Sequence, residues 1–239
     1  MTDRLYLKNA YARDAKGHVT AHTPEGGIVL SKSLFYPTSG GQPGDSGHIV
    51  WVDATLEIAT TIKLDAWQIA LIPAEPQPLP PVGTEIMQHI DWDRRYRHMR
   101  VHTALHLLSV VLPLPVTGGS IGTEKGRLDF DMAEPPEDKS KLEELLNAMV
   151  ALNLPVSESW ITDAELRDNP GLVKTMSVKP PVGEGQVRLV RIGEGESQVD
   201  LQPCGGTHVA RTGEIGKLRI GKIEKKGRQN RRVYLHLDG

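Results

Sequence analysis

The chain has 239 residues, 38% hydrophobic and 24% charged, with a net charge of −2. That length accommodates one large domain or two small ones, and the composition is that of an ordinary folded protein rather than a disordered one. No apolar run approaches the roughly 20 residues of a membrane span, the N-terminus lacks the apolar core of a secretion signal, and a single cysteine excludes an internal disulfide, so the cytoplasm is the expected compartment.

Residues 1–90 read as a β-rich domain. Short apolar runs at 27–30, 48–51 and 68–72 are separated by Gly, Pro and Asp, a spacing that suggests a small β-barrel. Within it lies Phe35-Tyr36-Pro37-Thr38-Ser39-Gly40-Gly41-Gln42-Pro43. From its residues alone this segment is a tight glycine turn whose Thr38 and Ser39 bond the backbone. The proline-rich stretch 73–83 reads as a rigid surface loop between strands.

Residues 91–239 read as an α+β domain with an antiparallel sheet packed on helices. Asp93 is the expected N-cap of a helix over 94–112. Val101, Leu105, Leu108 and Leu112 form its apolar stripe, His102 and His106 lie beside that stripe, and Pro113 ends it. Strands are expected at 116–121 and 126–132. A helix over 137–152 should turn Leu142, Leu145, Leu146 and Met149 inward. A strand at 156–161 leads to a cap at Thr162. Hairpins are expected at 188–192 with 198–201, around Gly193-Glu194-Gly195, and at 215–224 with 233–237.

The chemistry-bearing residues come in two pairs. His102 and His106, four apart, share one helix face. Cys204 and His208 flank Gly205-Gly206-Thr207 in the other pair, 98 positions further on, where two glycines let the backbone turn so that both side chains aim at one point. An isolated HxxxH is more simply read as two buried, bonded histidines. With both pairs present, three imidazoles and one thiolate form a metal site, and that donor set suits one zinc ion. His98 extends the helical series at the same spacing; it reads as a surface or phosphate-facing histidine and is the spare ligand candidate.

Charge is unevenly placed. Residues 211–232 hold nine Lys/Arg and two Glu, and Arg94, Arg95, Arg97 and Arg100 form a second cluster before the histidines. Each alone reads as a solvated basic face; flanking a metal site, the two suit a polyanion whose reactive end enters it.

HTALHLL with PCGGTHVARTGEIG resembles the editing domain of alanyl-tRNA synthetases, to which a threonyl-tRNA synthetase domain is related, and SLFYPTSGGQPGDSGHI resembles the glycine-rich motif that precedes it. The chain is far too short for a synthetase and is similar to the freestanding trans-editing proteins of the AlaX type, over nearly its whole length. That resemblance implies a cytoplasmic zinc-dependent deacylase that hydrolyses the ester of Ser-tRNA(Ala), and of Gly-tRNA(Ala), with tRNA as partner and neither membrane nor obligate protein partner. It implies metal ligation by His102, His106, Cys204 and His208, and catalytic roles for Thr38, His102, His106 and Cys204. Substrate contacts would come from Thr38, against the serine hydroxyl, with Ser39, Gly40, Gly41 and Gln42. Arg94, Arg100, Lys222, Lys225, Lys226 and Arg228 would hold the tRNA. Synthetase editing domains often carry a glutamine in the strand after the histidine helix; here that stretch has none, so either Thr117 or Ser120 would take the polar role or the pocket would be wider. Two other readings stand beside this one: a tRNA 3′-end binding module with structural zinc and no turnover, and a zinc hydrolase of small esters unrelated to tRNA. The basic C-terminal segment counts against the latter.

Overall fold

The computed structural model describes residues 2–52, 54–65, 68–175 and 185–238. Its architecture is α+β, in two compact units, Met1–Tyr96 and Arg97–Gly239.

The first unit contains β1 (Asp3–Arg4), α1 (Leu5–Lys8), β2 (Asp14–His22), β3 (Ile28–Leu30), β4 (Lys32–Ser33), β5 (Gly47–Trp51), β6 (Ala54–Lys63), β7 (Ile69–Pro73) and β8 (Glu85–Ile90). Six strands close into the expected barrel, in the order β2-β3-β7-β6-β5-β8, all antiparallel. Closure leaves those strands no free edge. Alternation does the sorting: in β8, Ile86, Gln88 and Ile90 are buried while Glu85, Met87 and His89 are not. Ile28, Leu30, Ile49, Leu56, Ile69, Leu71 and Ile86 fill the interior together with Leu34 and Phe35. The proline-rich stretch lies between β7 and β8, as its composition implies.

The second unit is built on α2 (Trp92–Val111), whose first turns belong to the first unit. It continues with β9 (Val116–Ile121), β10 (Lys125–Asp131), α3 (Lys139–Ala151), β11 (Val156–Thr162), α4 (Asp163–Asp168), β12 (Gln186–Ile192), β13 (Asp200–Pro203), β14 (Leu218–Gly227) and β15 (Asn230–Leu237). These strands form two antiparallel sheets, β14-β15-β10-β9 and β11-β12-β13. Helix α3 is stitched to the edge strand β14 by side chains. Asn147 bonds both the N–H and the C=O of Leu218, and Glu143 accepts from the Ile220 amide. Three backbone groups at the start of this edge are thereby satisfied. The capping box expected at Thr162 is present: its hydroxyl accepts from the Glu165 amide while Glu165 accepts from the Thr162 amide.

Several local expectations are corrected. The cap of α2 is Asp91, whose carboxylate accepts from the Arg94 amide at 3.1 Å; Asp93 lies in the first turn. Both carboxylates favour this end, but only the residue before the first turn reaches the third amide. Leu145 is 45% exposed, and Val150 fills the inward row with Leu142 and Leu146. Ile215 closes a 3-10 turn, Thr212–Ile215, and β14 starts only at Leu218. His98 is buried rather than on the surface, because α2 is enclosed on nearly every side from His98 to Ser109.

Candidate functional site

His102 and His106 stand one turn apart on α2, and Cys204 and His208 lie on the loop that leaves β13. Their four ligand atoms all fall within 4.8 Å of one another, and the three histidines are buried. Cys204 Sγ is 3.4 Å from His102 Nε2 and 3.3 Å from His208 Nε2. Pro203 ends β13 just before the loop. The loop is clamped from behind by Arg188, which is itself buried. One guanidinium nitrogen donates to the carbonyls of both Cys204 and Gly206 at 2.8 Å, and the others engage Glu158. So held, the Gly206 amide approaches Cys204 Sγ at 3.5 Å.

Two of the imidazoles are oriented from behind. His106 Nδ1 donates to Asp200 Oδ2 at 3.0 Å. Thr103 spends its hydroxyl proton on the Met99 carbonyl, at 2.9 Å, and accepts from His208 Nδ1 at 3.1 Å. Each arrangement leaves Nε2 bearing the lone pair that a metal needs.

Without an ion, the electrostatics describe a thiolate at Cys204 beside a protonated His106, whose proton metal binding would displace. Burial pushes the Cys204 thiol up, but the charges of His102 and His208 and hydrogen bonds from His102 and His106 outweigh it, holding it well below the usual thiol value. Burial and the His102 charge push His208 well below the usual imidazole value. Burial opposes a proton on His106, but the bond to Asp200 and the neighbouring Cys204 raise it to about 9. Burial would lift Asp200, but His106, Lys174 and Gln202 hold it at about 2. Three imidazole nitrogens and one sulfur, already converging, fit a borderline-soft ion such as zinc.

The other residues singled out in the sequence are placed as follows. Ser39 and Gln42 exchange backbone hydrogen bonds across Gly40 (φ 56°) and Gly41 (φ 83°), both left-handed, so two glycines are what the turn requires. The Thr38 hydroxyl accepts from the Gly44 amide at 2.8 Å and reaches the Thr61 carbonyl at 3.3 Å; Gln42 is fully buried. Thr117 donates to the Asp129 carbonyl and accepts from Asn230, and Ser120 stands opposite Arg127 in the same sheet. Arg94 bonds the Gly44 carbonyl and Arg100 the Ile215 carbonyl. Lys222, Lys225, Lys226 and Arg228 lie on β14 and its turn, largely in solvent, where Lys222 and Lys226 share Glu224. His98 is not among the clustered ligands.

Sequence reasoning missed Asp200, Thr103, Lys174, Gln202 and Arg188. A faint signal existed for one pair. Asp200 and Gln202 are polar, two apart on a short strand, and so share a face just ahead of the cysteine.

Two family models match the chain. The threonyl and alanyl tRNA synthetase second additional domain covers residues 187–234, and class II (A) tRNA synthetases cover residues 8–94. The alanyl-tRNA editing protein AlaX-M of Methanosarcina acetivorans is 34% identical over 247 residues, covering 99% of each chain. That of Saccharolobus solfataricus is 33% identical over 242 residues, covering 98% of each. The alanine–tRNA ligase of Pyrobaculum neutrophilum is 31% identical over 233 residues, which are 94% of this chain and 25% of the ligase.

Proposed function

Because this chain belongs to the AlaX-M family of alanyl-tRNA editing proteins, we propose that it hydrolyses mischarged tRNA(Ala) in trans, on seryl and glycyl esters, with zinc held by His102, His106, Cys204 and His208. Water adds to the ester carbonyl, the bond to the terminal ribose breaks, and the products are the free amino acid and a tRNA with its hydroxyl restored. Trans-editing of mischarged tRNA(Ala) is the activity of the family. The observation that carries the metal reading is the convergence of four N and S ligand atoms within 4.8 Å, from α2 and the loop after β13.

When bound, the ion would polarise the ester carbonyl or acidify a water. The chain's own residues do the rest. Arg188 holds the cysteine loop, Asp200 and Thr103 orient two imidazoles, and the cations Lys217, Arg219, Lys222, Lys225, Lys226 and Arg228 attract the tRNA phosphates. Thr38 is proposed to meet the serine hydroxyl. A site that must hydrogen-bond that hydroxyl disfavours alanine, which leaves the partner unpaired. The proposed compartment is the cytoplasm, where tRNA is charged and used.

A deacylation time course on Ser-, Gly- and Ala-tRNA(Ala) tests this. Release of serine and glycine while Ala-tRNA(Ala) survives is expected, and its loss in H102A/H106A places the activity at the cluster. One observation favours a second reading: four converging donors can fill a tetrahedron and leave no position for substrate. Zinc-loaded protein that retains tRNA but releases no amino acid would establish that binding module instead.

A further inference from the structure

Asp200 is a carboxylate surrounded by donors. It is 3% exposed. Its Oδ2 accepts from His106 Nδ1 at 3.0 Å and from Gln202 Nε2 at 2.8 Å, and its Oδ1 accepts from Lys174 Nζ. An ionised carboxylate suits such a place because it only accepts. Gln202 Nε2 also lies 3.4 Å from Ser109 Oγ, and Ser109 is tied back to the His106 carbonyl, so the same small network touches the helix that carries the imidazole.

We propose that Asp200, anchored by Lys174 and Gln202, is the positioning residue that makes His106 an Nε2 metal ligand. The inference rests on the metal reading of the cluster. With Nδ1–H committed to Asp200, the ring has one tautomer and one orientation, and its free lone pair points away from the carboxylate. Such partners behind a ligating histidine are typically worth about 10–100-fold in metal affinity. The partly exposed Lys174 fixes which way the carboxylate plane faces, and that makes the arrangement specific. An asparagine at position 200 is penalised in either orientation. Its NH2 turned toward Lys174 faces a cation. Turned toward His106, it demands the Nδ1 lone pair and leaves Nε2–H, which cannot ligate.

The test compares the full-length wild type, D200N, K174Q and D200N/K174Q. Zinc affinity is read by competition with a chromophoric chelator, the ligand field by the visible absorption of the Co(II) form, and folding by far-UV circular dichroism. D200N should bind zinc about 10–100-fold more weakly and alter the Co(II) spectrum. K174Q alone should have the smaller effect. The double variant should recover part of the loss. Its new glutamine carbonyl can accept from the NH2 of the new asparagine, which turns the asparagine's own oxygen back to His106. A merely structural Asp200 would give no such recovery. D200N affinity within twofold of wild type, or a double variant no better than D200N, overturns the proposal. If D200N does not fold, the histidine 15N spectrum of zinc-loaded wild type decides: a proton on His106 Nδ1 supports the proposal, and one on Nε2 overturns it. A wild type that binds no metal would sink the metal reading and this inference together, whereas metal binding with unchanged D200N sinks this one alone.

Discussion

The two basic segments look alike in the sequence and meet opposite fates. Arg95, from the first, is fully buried and paired with Asp45. Its guanidinium also donates to the carbonyls of Ala10 and Leu34, while Asp45 accepts from the Tyr36 amide. Arg94 and Arg100 are spent on backbone carbonyls, and Arg97 keeps an exposed side chain. In the second segment most cations remain in water on β14 and its turn, where Lys222 and Lys226 share Glu224 and Arg219 meets Asp238, while Arg231 is buried and Arg232 pairs with Asp129. Density of charge along the chain therefore does not tell a structural cation from a binding one. The burial of the partner carboxylate does.

The largest effect should come from the buried pair. R95A leaves Asp45 buried and uncompensated, and should lower the unfolding free energy by about 3–5 kcal/mol in a denaturant titration. A loss under about 1 kcal/mol, the range of a surface ion pair, would mean that Arg95 is not a structural cation. Lys174 sits between the extremes, partly exposed against a buried Asp200. Asp200 is depressed from 3.8 to about 2. A depressed carboxylate stabilises the fold above its unfolded value, and that stability is lost as pH falls through the folded one. On the order of 2 kcal/mol should therefore disappear between about pH 4 and pH 2, and D200N should flatten that limb of the stability profile.

The exposed segment should show in binding rather than in folding. K225A/K226A/R228A should weaken tRNA retention and reduce the salt slope of log affinity by about 3, one per phosphate contact, with stability unchanged. A slope equal to wild type would remove this hairpin from the tRNA interface. The smallest effect belongs to K222A, whose lysine is exposed in its pair with Glu224. Its stability should stay within about 0.5 kcal/mol of wild type.

Local rules carried much of the fold into the sequence. Strand β9 spans the residues that its pattern implies, the barrel follows from short runs broken by Gly and Pro, and the Thr162 box is a four-residue signal. The converging ligands were readable because His102 and His106 are one helical turn apart and two glycines sit between Cys204 and His208. What orients them was not. Asp200 meets His106 across 94 positions and Thr103 meets His208 across 105, and no periodicity links such distant partners. Arg95 was misread for the same reason, since Asp45 stands 50 residues away. Asp93 and Leu145 were misread within a single helical turn, where only packing and the local hydrogen bonds decide which residue caps and which faces out.

The proposed dependence of mischarged tRNA(Ala) hydrolysis on a metal at the histidine–cysteine cluster is tested most directly by measuring zinc content and serine release from Ser-tRNA(Ala) on the same preparations of wild type and C204A. C204A is expected to lose both together, and chelation of the wild type to reproduce the loss. Serine release at the wild-type rate from protein stripped of metal would contradict it.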